Sequence, residues 1–285
     1  MNSASIGSSQ THWDAMNYKR FTVGGTLSLL ILIATALAQT DDQPVRRRSR
    51  VNRNFSADDA VEMSRAEKGR DFAFARLVYS GGYGWRYGAW TTDAPKADLT
   101  FIAGIKRLTN LNVRESELYL PLTSKEIFKY PFLYAVEVGY MQLSQEEADI
   151  LREYLQRGGF FVVDDFHGTY EWANFEEQIR KVFPTCKIEE IPLSHPVFHC
   201  FFDVEALTQV PGAQTLYSGV TYEKDGYDAH YRGIFDDTGR LMVMINFNSD
   251  LGDAWEWADV PYYPEKYSST AYRLGINYII YSMTH

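Results

Sequence analysis

The chain is 285 residues long, with 45% hydrophobic and 15% aromatic residues, enough apolar material for one large domain or two small ones and too much for a disordered protein. Its formal charge is −9. Residues 71–285 alone hold 18 Lys and Arg against 30 Asp and Glu, which argues against a nucleic-acid surface, because phosphate binding needs a basic footprint.

Residues 21–38, FTVGGTLSLLILIATALA, form an 18-residue apolar run behind Lys19-Arg20, ending in the small-x-small pattern of a signal-peptidase site. Met16 opens a short basic stretch before it. Residues 1–38 are therefore expected to be a signal peptide or membrane anchor, 18 residues being just enough to span a bilayer. This makes the protein an exported one, periplasmic or membrane-anchored with its domain outside the cytoplasm. Residues 39–70, with Arg46, Arg47, Arg48 and Arg50, read as a polar linker, and a basic patch there suits either solvent or anionic lipid.

From Asp71 strands and helices alternate. FAFARLVY (72–79) is a strand that runs into the glycine- and aromatic-rich loop SGGYGWRYGAW (80–90). Its Gly81-Gly82-x-Gly84 spacing matches neither the dinucleotide nor the Walker pattern. Asp93-Ala94-Pro95 starts a helix in which Leu99, Ile102, Ile105 and Leu108 recur at helical spacing. ELYLPLT (117–123) and FLYAVEVGY (132–140) are the next strands. Ser144 and Glu147 have the spacing of a capping box, the helix behind them buries Ala148, Leu151 and Leu155, and Gly158 ends it. The strand Phe160-Phe161-Val162-Val163 is apolar on both faces, as strands inside a parallel sheet are. A helix over 174–183 and a strand over 186–192 follow, then a hairpin over 231–247 turning at Asp236-Asp237-Thr238-Gly239. Residues 248–266 read as a long loop, and a helix runs from Ser268 to Met283. The expected fold is α/β over 71–285, a doubly wound, mostly parallel sheet with a C-terminal β-hairpin elaboration.

In such sheets ligands sit beyond the carboxyl ends of the strands. Asp164, Asp165 and His167 lie at that end of the central strand, and Glu137 and Tyr140 follow the strand before it. Carboxylates and imidazole suit a divalent cation or acid–base chemistry, but short polar residues after a strand also cap turns. Adjacent side chains on an extended strand face opposite ways, so Asp164 and Asp165 share a site only if the strand has already ended. His195 and His199 are spaced i, i+4, the ligand spacing of a helix face, although Pro196 between them also fits an ordered turn. Tyr83, Trp85, Tyr87, Trp90, Trp255, Trp257, Tyr262 and Tyr263 offer stacking faces for sugars or peptides, or else pin their loops to the domain. Cys186 and Cys200 permit a disulfide in an oxidising compartment, and spacing alone does not show one.

The run YPFLYAVEVGYMQLSQEEADILREYLQRGGFFVVDD resembles the strand–helix–strand core of the class I glutamine amidotransferase-like superfamily. More narrowly, GGFFVVDDFHG, SHPVFH, GDAWEW and LGINYIIYSMTH resemble the bacterial domain of unknown function family 4159, over about residues 70–285. The resemblance implies a flavodoxin-like sheet and no particular reaction. The superfamily's catalytic members carry a cysteine on a sharp turn after a strand, and neither Cys186 nor Cys200 stands on such an elbow.

The leading expectation is thus an exported, non-catalytic binding module. Its cleft would be lined by Tyr83, Trp85, Glu137, Tyr140, Asp164, Asp165, His167, Trp255 and Trp257, and would take a small molecule, a cell-envelope glycan or a peptide. It would need no cofactor, or a divalent metal on Asp165, His167 and His195. The alternatives are a metal-assisted hydrolase with Glu137 or Asp164 as base, and a scaffold for an envelope protein partner.

Overall fold

Short apolar strands alternating with amphipathic helices have to bury one sheet from both sides. The computed structural model, which describes residues 55–66, 69–81 and 90–285, has that form. The apolar segment 21–38, the arginine-rich run and the side chains of Tyr83, Trp85 and Tyr87 lie outside the described residues. No described helix is long and apolar enough to cross a membrane.

The elements in chain order are α1 (Ala57–Ala66), β1 (Ala75–Val78), β2 (Ser80–Gly81), α2 (Lys96–Leu108), β3 (Leu118–Pro121), β4 (Phe132–Val136), β5 (Met141–Gln142), α3 (Gln145–Gln156), β6 (Phe160–Asp164), α4 (Gly168–Val182), β7 (Glu189–Glu190), α5 (Ala213–Leu216), β8 (His230–Phe235), β9 (Leu241–Phe247), α6 (Leu251–Glu256) and α7 (Glu265–Thr284). The main sheet has seven strands in the order β3-β1-β4-β6-β9-β8-β7. The five from β3 to β9 are mutually parallel, β8 runs antiparallel to β9, and β7 antiparallel to β8.

Alternation along β6 distributes the core. Phe161 and Val163 join α3 and α4 on one face, whereas Phe160 and Val162 join α2, α6 and α7 on the other. The disulfide left open by the sequence does not form: Cys186 packs with the first cluster and Cys200 with the second, and both are free thiols. The 231–247 hairpin is present, with Asp236 Oδ1 accepting from the amides of Thr238 and Arg240. It is not an appendage, since β9 is buried along its whole length and pairs with β6, as a strand apolar on both faces requires.

Three further expectations change. Part of the supposed linker is α1, whose Ala60 and Met63 pack on the first core cluster. In α2, Leu99 and Leu108 are exposed and the inner face is Ala97, Phe101, Ile102 and Ile105. The helix is turned because Asp98 must face inward to meet Arg76, a fully buried guanidinium on β1 whose Nε lies 3.1 and 3.0 Å from the two Asp98 oxygens. The helix expected at 174 starts at Gly168, where the Gly168 and Thr169 amides donate to Asn248 Oδ1 and Asp225 Oδ1. These caps come from remote parts of the chain.

The capping box of α3 forms as expected: Ser144 Oγ accepts from the Glu147 amide at 3.2 Å and Glu147 Oε2 from the Ser144 amide at 2.9 Å. Gly158 then takes φ 102°. Ser144→Ala is expected to cost about 1 kcal/mol in a urea unfolding curve with the slope unchanged.

Candidate functional site

The centre of the rim is the end of β6. Asp164 is its last residue, and Asp164 Oδ2 accepts from Tyr134 Oη at 2.8 Å and from the amides of Leu251 and Gly252 at 2.8 and 3.1 Å. This oxygen therefore ties β6 to β4 and to the first turn of α6, a capping role. Burial pushes the carboxyl up to about 7, against the pull of these hydrogen bonds. Asp165 then leaves the strand with a left-handed backbone, φ 52°. The strand alternation ends there, so both acids stay at the rim. Asp165 is only 6% exposed, and burial followed by the charge of Asp253 pushes it up to about 7.

At the end of β4, Glu137 is also left-handed, φ 53°, and its amide donates to the carbonyls of Asp164 and Asp165 at 3.2 and 3.0 Å. Burial, then the charges of Asp165 and Glu171, push its carboxyl up to about 9. Tyr140 stands beside Glu171, and Lys224 Nζ lies over its ring, 5.7 Å from the centroid. Lys224 is itself engaged by Glu171, and the other Glu171 oxygen accepts from the His167 amide at 2.6 Å.

The third contribution follows β9. Asp250 caps α6, accepting from the Asp253 amide at 2.7 Å. Asp253 is oriented in turn by the Ala213 amide at 2.7 Å and Trp257 Nε1 at 3.0 Å. Asp93, beyond β1, takes φ 61°. The non-glycine residues of positive φ among those described are Asp93, Glu137, Asp165, Lys224 and Asn248, and every one belongs to this rim. Backbone strain of this kind is kept where the surrounding structure enforces it, and it concentrates at functional sites.

Among the described residues three groups of ligand atoms result, each lying mutually within 4.8 Å: Asp165, His167 and Glu223; Asp93, Asp165 and Asp250; and Asp93, Asp253 and Glu256. Carboxylates dominate this space while Arg76 is answered by Asp98 and Lys224 by Glu171. Burial and mutual repulsion hold Asp93 and Asp250 well above the ordinary carboxylate range. His167 is 2% exposed, burial lowers its pKa, and its Nε2 lies 3.3 Å from Asp165 Oδ1. Burial thus favours the uncharged imidazole, the form that ligates metals. Asp93 Oδ2, Asp164 Oδ1 and His167 Nδ1 are buried without hydrogen-bond partners. Oxygen donors with one imidazole fit manganese, zinc or magnesium-like cations.

Several expected site residues are elsewhere. His195 does not join Asp165 and His167. Its Nδ1 caps a short 3-10 turn by accepting from the Val197 amide, and its ring packs on Phe235 and Tyr281. Phe235 pairs with Leu241 at the start of β9, which is the opposite end of the sheet. His199 is bound to Asp203 and the Leu193 carbonyl, so the i, i+4 pair belongs to a turn. Trp255 is not a stacking face for a ligand: it is 1% exposed and stacked on Phe101 at 4.0 Å and 14°. Trp257 reaches the site as the donor that orients Asp253. Trp90 and Tyr263 are buried, the latter donating to the Pro211 carbonyl, and they pin their loops.

Sequence reasoning missed Asp93, Glu223, Asp250, Asp253 and Glu256. For Asp250 and Asp253 the i, i+3 cap spacing was a usable signal, whereas nothing local singles out Glu223. No curated protein matches the chain. All of the acids that meet at this rim lie within residues 73–283, the stretch matched by the model of the family described as Domain of unknown function (DUF4159), and the chain belongs to that family.

Proposed function

We propose that the protein is a metal-dependent hydrolase whose primary cation is held by Asp165, His167 and Glu223, with Glu137 as the proton-carrying residue. The observation that supports it is the convergence of these three ligand atoms within 4.8 Å on a strained rim where, among the described residues, further carboxylates lie alongside. A divalent cation held by Asp165, His167 and Glu223 would lower the pKa of a coordinated water and polarise the bond to be cleaved. Asp165 and Glu223 contribute negative charge, and His167 a neutral nitrogen. Glu137, held protonated to about 9 and electrostatically coupled to Asp165, is suited to give a proton to a leaving group rather than to take one. Asp164 is committed to Tyr134 and α6 and is not the base.

In this reading the domain is a branch of the amidotransferase-like superfamily. Numbered by chain order, its five parallel strands lie 2-1-3-4-5, the flavodoxin-like arrangement. Neither cysteine takes part, and the substrate belongs to the cell envelope, a glycan or a peptide, consistent with an export segment over 1–38. A second reading, a non-catalytic binding module, draws support from Tyr217 and Tyr262, exposed rings stacked at 5.2 Å beside Trp257.

The test is to strip the purified protein with a chelator, titrate it with MnCl2 or ZnCl2, and assay a panel of chromogenic esters, glycosides and phosphoesters. Cation-dependent turnover that Asp165→Asn abolishes and Glu137→Gln reduces at least tenfold is the expected result. Cation uptake with no turnover on any substrate favours the binding module, and no uptake ends the hydrolase reading.

A further inference from the structure

The rim carries more ligands than one cation uses. Beyond Asp165, His167 and Glu223, the carboxylates of Asp93, Asp253 and Glu256 bring their own ligand atoms within 4.8 Å of one another. The intervening group, Asp93, Asp165 and Asp250, shares Asp165 with the first set and Asp93 with the second. Carboxylates that reach two neighbouring ligand sets are the geometry of a bridged pair of cations.

Asp93 supplies an independent sign that something is to be bound. Its Oδ2 is fully buried and has no hydrogen-bond partner, an expensive arrangement for a carboxyl oxygen. The oxygen lies over the first turn of α6, where a Cβ at Gly252 would come within 2.6 Å of it. The backbone that delivers it is fixed from behind. Arg76 Nη1 donates to the carbonyls of Trp90 and Thr92 at 3.0 and 2.9 Å while its Nε is bound to Asp98, so this guanidinium positions the Asp93 segment without a hydrogen bond to the Asp93 carboxylate. Asp253 is pre-oriented by Trp257 Nε1 and the Ala213 amide, outer contacts of the kind that aim metal ligands.

We infer that the protein has a second cation position, formed by Asp93, Asp253 and Glu256 and linked to the first through Asp165 and Asp250. With no nitrogen or sulfur donor it selects a hard cation, magnesium, manganese or calcium, whereas the first set includes an imidazole. The inference adds to the proposed hydrolase centre but does not require turnover.

The test uses the full chain, chelator-stripped and titrated with MnCl2, reading stoichiometry by calorimetry and the spin-coupled signature of a Mn2+ pair by electron paramagnetic resonance. Two ions and a coupled spectrum are expected for the wild type. One ion and an uncoupled spectrum are expected for Asp93→Asn and for Glu256→Gln, which preserve side-chain shape, and likewise for His167→Ala, which breaks only the first set. A single wild-type ion that survives His167→Ala and is lost in Asp93→Asn supports this position while removing the primary one. Two ions in Asp93→Asn and Glu256→Gln, a single wild-type ion that His167→Ala removes, or no ion at all overturns the inference. Circular dichroism of each stripped variant checks the fold.

Discussion

Asp98→Ala is expected to destabilise the domain by about 3–5 kcal/mol, the cost of leaving one member of a buried ion pair without its partner. Arg76 is fully buried on β1. Burial works against its charge, and Asp98 more than offsets that, holding its pKa above the ordinary value. Its remaining donors go to the Trp90 and Thr92 carbonyls, so in the variant those bonds survive and the charge alone is uncompensated. The midpoint of urea unfolding should fall with little change in slope. The double variant Arg76→Met with Asp98→Leu should recover most of the loss, because a well-packed apolar pair replaces a buried ion pair at little cost. It should still weaken Mn2+ uptake, since the segment carrying Asp93 loses its clamp. A loss below about 1 kcal/mol in Asp98→Ala would mean that the pair is solvated and that this account of β1 is wrong.

Chelating the cations at pH 8 is expected to lower the melting temperature by about 5–10 °C, and at pH 5 by less than half as much. A cation present at about 100 times its dissociation constant adds about 2.7 kcal/mol, and each kcal/mol moves a domain of this size by about 2–4 °C. The pH dependence follows from the carboxyls. Asp164 and Asp165 titrate at about 7 and Glu137 at about 9 in the folded chain, all above their values in the unfolded one. Between about pH 4 and those values the folded state holds more protons than the unfolded state, so the stability of the cation-free protein falls as pH rises through that window. A bound cation replaces the protons and removes this slope, and at pH 5 protons compete with it. Cation-free protein that melts higher at pH 8 than at pH 5, or a melting temperature indifferent to chelation at both, would show that these acids are solvated.

What was legible in the sequence was local. The capping box at Ser144, the turn at Gly158 and the apolar run of β6 are each encoded within a few residues, and each took its expected form. The hairpin was legible for the same reason, but its place inside the sheet rests on β9 pairing with β6 across about 80 residues of chain. The composition of the site was hidden likewise. Asp93, Asp165, Glu223 and Asp250 come from four separate segments, and only the strand order makes them neighbours. Trp255 looked like a loop aromatic because α6, at six residues, is too short to show helical periodicity, so the face it turns to Phe101 left no pattern. His195 and His199 had the ligand spacing without the helix that would give it meaning.

The separation of the two cysteines has a consequence for where this domain can work. With the sheet between them, and with burial raising both thiols, Cys200 up to about 11, neither meets a partner sulfur in its own molecule nor is ionised at neutral pH. An oxidant finds nothing here to staple and a reductant nothing to release. The covalent framework of the domain is thus the same on either side of a membrane.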